Sequence, residues 1–95
     1  MDFTKDAPGA NDDGSGSALV IEAARLMSKE PQGDATIVFA LLSGEEQGLM
    51  GGRLLAETAK ERGWKVSAML NNDIVGGTVG TDGRVVKNVV RVFSE

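Results

Sequence analysis

The run Thr36-Ile-Val-Phe-Ala-Leu-Leu42 constrains the fold more than any other feature of the sequence. It holds no charge, no glycine and no proline, and its β-branched and aromatic residues favour an extended backbone. A strand apolar at every position has two faces to bury, which is the pattern of a parallel strand covered by helices. Segments with helical spacing flank it. From Ser17 to Ser28, Leu19, Ala23, Leu26 and Met27 recur at that spacing, with Ser15 or Ser17 as cap and Pro31 and Gly33 as stop signals. From Glu45 to Arg62, Leu49, Leu55 and Ala59 mark a second helix, and Gly63 is placed to end it. Lys65 to Leu70 is a second apolar run, Gly76 to Gly83 a turn-rich connection, and Val85 to Phe93 a third β-rich stretch. This order predicts an α/β chain with a largely parallel sheet core of about three strands.

A chain of 95 residues allows one domain. Ten Lys+Arg against fourteen Asp+Glu give a net charge of −4, which argues against nucleic-acid and anionic-membrane partners. Without cysteine there is neither a disulfide framework nor a thiolate metal site, and without histidine there is no Ser-His or Cys-His nucleophile system. Chemistry therefore falls mainly to carboxylates. No apolar run approaches the ~20 residues of a membrane span, and the opening Met-Asp-Phe-Thr-Lys-Asp shows no signal-peptide pattern, so the default compartment is the cytoplasm.

Three acidic positions stand out. Asp12-Asp13 lies in a Gly-rich loop before the first helix, Glu45-Glu46 follows the first apolar run, and Asp73 follows the second. In an open parallel sheet the carboxyl ends of the strands share one edge, so the Glu pair and Asp73 are expected together there, within reach of the Asp12 loop. Carboxylates gathered in this way raise some of their pKa values or bind cations. Each also has an ordinary reading: Asp12-Asp13 and Glu45-Glu46 as helix-start acids and caps, Asp73 as a turn residue. Gly14-Ser15-Gly16 lacks the third glycine and the preceding strand of a nucleotide fingerprint.

Three stretches together resemble the co-catalytic di-zinc aminopeptidases, zinc-dependent exopeptidases whose relatives include glutamate carboxypeptidase-like and transferrin-receptor-like proteins. Ala7-Pro-Gly-Ala-Asn-Asp-Asp-Gly-Ser-Gly16 is similar to the family's bridging-aspartate loop. Phe39-Ala-Leu-Leu-Ser-Gly-Glu-Glu-Gln-Gly-Leu49 is similar to its catalytic Glu-Glu segment, and Leu70-Asn-Asn-Asp-Ile-Val-Gly76 to its third metal-ligand segment. The resemblance implies a three-layer zinc-exopeptidase-like (phosphorylase/hydrolase-like) α/β fold, incomplete here. It implies two Zn2+ ions, with Asp12 as the bridging ligand, Glu46 and Asp73 as terminal ligands, and Glu45 as the catalytic general base. It also implies a cis peptide between Asp12 and Asp13, and a peptide substrate with a free N-terminus.

The family supplies one histidine to each zinc, one upstream of the bridging aspartate and one far downstream of the third ligand. This chain has none. Residues 1–95 are therefore expected to be a single partial peptidase domain, truncated at both ends, with zinc absent or weakly bound and no activity alone. On that reading a signal peptide of the parent would lie outside the chain, leaving a secreted or periplasmic parent open. The alternative is a non-catalytic α/β binding or structural module that retains a carboxylate cation site, one suited to Ca2+ or Mg2+. A partial sheet is also expected to self-associate through its edges.

Overall fold

The computed structural model describes residues 8–80, 82–87 and 89. Two helices form: α1, Gly14–Met27, and α2, Met50–Glu61. α1 starts three residues earlier than its apolar spacing suggests, because the cap is Asp13. The Asp13 side chain accepts from the Gly16 amide at 3.0 Å, satisfying a donor that Ser15 or Ser17 was expected to serve. Val20, Ala23 and Ala24 form its half-buried side, whereas Leu19, Leu26 and Met27 are exposed.

α2 starts five residues later than expected. Glu45 to Leu49 make a turn instead, in which the Gly48 and Leu49 amides both donate to the Glu45 carbonyl at 2.9 Å. Gly44 and Gly48 take positive φ, and Leu49 joins them at φ 60, a region costly for a residue with a Cβ. The helix then closes back on the chain before it, with Met50 N–H donating to Gly44 O and Gly51 N–H to Ser43 O, both at 2.9 Å. Its half-buried stripe is Gly51, Gly52, Leu55, Thr58 and Ala59, at the spacing of one helix face. The end matches expectation. Gly63 has φ 64, Trp64 N–H donates to Ala59 O and Gly63 N–H to Lys60 O, the paired bonds of a Schellman motif.

The expected α/β architecture is not what forms. Among the described residues there is no strand and no sheet, parallel or otherwise, and hence no three-layer zinc-exopeptidase-like arrangement; the regular structure is helical. The one isolated bridge, Val79 with Val85, is antiparallel and closes the glycine-rich turn, where Val86 N–H donates to Thr78 O at 2.7 Å. The remainder of the expected third stretch, at 88 and 90–93, lies outside the described residues. The physical reason is that the described residues bring no second backbone into ladder register beside either run. Apolarity at every position tells what a segment could bury, but a ladder needs a second backbone alongside. Thr36–Leu42 and Lys65–Leu70 lie with their large side chains open, from Phe39 at 40% to Leu70 at 88% exposure.

No hydrophobic residue is buried among those described, and Gly16 is the one buried position. The accessible surface is 8740 Å², against about 5,200 Å² for a compact protein of this mass. No helix is long and apolar enough to cross a membrane among the described residues.

Candidate functional site

The polar loops, unlike the apolar runs, are held together. Asn11 to Asp13 turn into α1 with the Gly14 amide donating to Gly9 O at 2.8 Å, and the Asp12-Asp13 peptide is cis, as the resemblance implies. Ser15 then links two distant parts of the chain. Its hydroxyl donates to Asn11 O at 2.6 Å and accepts from the Val75 amide at 3.0 Å. Gly16 sits directly beneath Asn72-Asp73. A Cβ there would lie 2.5 Å from Asp73 O, 2.9 Å from Asn72 O and in collision with Asp13 Oδ1. Only glycine allows this approach.

The Glu45 turn is fixed as closely. A Cβ on Gly51 would lie 2.6 Å from Ser43 O and 2.9 Å from Ser43 N, so the first turn of α2 rests on the end of the Thr36–Leu42 run. These ties leave a cleft of about 550 Å³ where the three loops meet. Asp13, Glu45 and Asp73 all line it, with Ser43 and Asn72 between them, apolar walls from Val20, Leu42 and Leu70, and Arg53 as a cation. The Asp73 carboxylate accepts from the following amide, Ile74 N–H, at 2.8 Å.

Two of the four sequence-predicted site residues, Glu45 and Asp73, therefore reach one cleft. Asp12 and Glu46 are not among its lining residues. All four are exposed. Among the described residues no group of three carboxylates comes close enough together to hold a metal ion. The donors among the described residues thus do not complete a zinc site. Sequence reasoning put the metal role on Asp12, weighed Asp12-Asp13 together as helix-start acids and caps, and did not single out Asp13 as the cap and a wall of the cleft. Its position three residues before the Gly16 amide is the N-cap spacing that could have identified it. Nothing in the local pattern marks the Ser15 hydroxyl as a long-range tie.

Comparison with known proteins adds the family. Peptidase family M28 matches residues 1–83. A probable zinc metalloprotease of Leptosphaeria maculans is 46% identical over the whole chain, which covers 22% of that protein. A probable zinc metalloprotease of Pyricularia oryzae is 45% identical, with 19% of its length covered, and one of Pyrenophora tritici-repentis 44%, with 20% covered. The chain thus spans about a fifth of the length of these relatives. No solved structure matches it.

Proposed function

We propose that this chain, which belongs to Peptidase family M28, carries the carboxylate part of a zinc-dependent aminopeptidase centre. The observation that carries the reading is the convergence of Glu45 and Asp73 on one cleft beside the Asp13 cap, within a sequence that matches zinc metalloproteases along its full length. In this assignment Asp12, Glu46 and Asp73 would hold the zinc, which would activate the attacking water, and Glu45 would be the general base. A carboxylate in the Glu45 position takes a proton from the attacking water and returns it to the leaving amine. The substrate is a peptide with a free N-terminus. The apolar walls of the cleft suit its side chain.

The chain's own residues supply at most two protein ligands to each ion and no histidine. The chain alone is therefore expected to show little or no hydrolysis of amino-acyl anilides with added zinc, the histidines coming from elsewhere in a longer protein. Glu45→Gln in a protein long enough to contain those histidines should lower kcat by about 10²–10⁴ with zinc content unchanged. An unchanged kcat in that variant would remove Glu45 from the chemistry. Robust turnover by the chain alone, lost in Glu45→Gln, would show that the chain builds the centre itself.

The second reading is a non-catalytic module retaining a carboxylate cation site. The absence of histidine from the sequence favours it for this chain taken alone. Full activity in the longer protein would rule it out as that protein's role.

A further inference from the structure

Arg53 is the one cation among the residues that line the cleft. It lies in the first turn of α2, and Leu49 and Gly52 line the cleft beside it. Gly52 leaves that side of the helix open, since a Cβ there would meet nothing within 4 Å. Two other arginines are paired, Arg25 with Glu22 and Arg84 with Asp82. Arg53 forms no ion pair among the described residues, although Asp13, Glu45 and Asp73 line the same cleft. Asp13 accepts instead from the Gly16 amide and Asp73 from the Ile74 amide. A carboxylate entering this cleft meets acids that repel it and one guanidinium whose forked donors fit it.

We propose that Arg53 is a specificity residue that selects peptides presenting a carboxylate to the cleft, a role that rests on the peptidase reading above. A short peptide has two sources of that group: an acidic side chain on its N-terminal residue, or the free C-terminus of a dipeptide. The chemistry of recognition is the same for both, two parallel N–H donors on two carboxylate oxygens. The cleft's acids cannot take an anion, and its apolar walls, Val20, Leu42 and Leu70, are indifferent to charge. Arg53 alone therefore separates a charged substrate from its neutral counterpart. Because Arg53 is exposed, the attraction is partly screened, and added salt should reduce the preference.

The test compares substrates that differ only in charge, in a protein long enough to contain the histidines. Glutamyl anilide is set against glutaminyl anilide, and alanyl-alanine against its C-terminal amide. Arg53→Gln should lower kcat/KM for the charged member of one pair by about tenfold relative to its neutral partner, through KM. The pair that responds names the source of the carboxylate. Arg53→Lys should keep part of the preference, because the charge stays and the fork is lost. A second readout needs no hydrolysis. When the 95-residue chain is titrated with each peptide, the Arg53 Nε–H resonance should shift with the charged member of the responding pair and not with the neutral one. Arg62, exposed and outside the cleft lining, should stay in place. Equal losses for both members of each pair would overturn the proposal, as would no shift at Arg53 or an equal shift at Arg62. If the longer protein cleaves no peptide, the peptidase reading fails, and the titration of the chain decides by itself whether Arg53 takes the carboxylate.

Discussion

The loop that opens α1 and the run that precedes α2 behave in opposite ways. The loop is polar and glycine-rich, the kind of sequence usually left loose, yet it runs into the first turn of α1, which holds the one buried residue among those described and the long-range Ser15–Val75 bond. Thr36–Leu42 is apolar throughout, the kind of sequence usually found at a core, yet it lies open. The difference lies in what each needs. The loop's donors and acceptors find partners a few residues away, and a single glycine lets a distant backbone settle against them. The run forms no strand among the described residues, and its large side chains stay at least 40% exposed.

Substitution at Gly16 is the severest way to break this contrast. A Cβ there meets two backbone carbonyls, which cannot swing aside as a side chain would. Gly16→Ala should release residues 72–75 from α1 at a cost of about 1–3 kcal/mol, read as faster hydrogen exchange at the Val75 amide. Exchange unchanged from the parent chain would mean that the approach of the two segments is not tight.

A matched pair of glycines in α2 sharpens the point. Gly51 and Gly52 are neighbours in one helix, but a Cβ on Gly51 meets Ser43 while one on Gly52 meets nothing within 4 Å. Gly52→Ala should therefore stabilise α2 by roughly 0.5–1 kcal/mol through backbone entropy alone. In Gly51→Ala the same gain is set against an overpacking cost of ~1–3 kcal/mol, for a net loss. Helicity and exchange in the two variants should move in opposite directions.

A smaller effect is expected at Ser15. Ser15→Ala removes one hydroxyl that donates to Asn11 and accepts from Val75. Because the groups left behind are near solvent, the loss should be about 1 kcal/mol, seen at the Val75 amide and not along α2.

The smallest effect lies on the outer face of α1. The Arg25 guanidinium bonds Glu22 at 2.5 and 2.6 Å and holds its carboxyl below the ordinary glutamate value, while Glu22 in turn raises Arg25. A depressed carboxylate pKa adds helix stability above the ordinary glutamate range, and that contribution is lost as pH falls through the lowered value. Both groups are exposed, so α1 helicity should fall only slightly on acidification, and Glu22→Gln should remove that pH dependence.

Much of the helical part was legible in the sequence, because caps and stops act over three or four residues. Gly63 ended α2 where its position required, and Leu55 and Ala59 fell on the half-buried stripe. The starts were less legible, since Asp13 competed with Ser15 and Ser17 as cap and the glycines at 44 and 48 drew Glu45 to Leu49 into a turn. The sheet was misread. A fully apolar heptamer reports a propensity to be buried between partners and cannot report whether those partners are present. At the site, Glu45 and Asp73 line one cleft while Asp12 and Glu46 do not, and the parallel-sheet edge expected to gather them is absent among the described residues. Ser15 was read only as a local cap, because its bond to the Val75 amide spans some sixty positions and no local pattern encodes it.

Residue-resolved hydrogen exchange of the dilute chain tests the central contrast most directly. The account predicts measurable protection at the Gly16 and Val75 amides, whose acceptors are Asp13 Oδ1 and Ser15 Oγ, and near-unprotected exchange from residue 36 to 41. Strong protection across 36–41 in a chain shown to be monomeric, with Val75 exchanging freely, would contradict it.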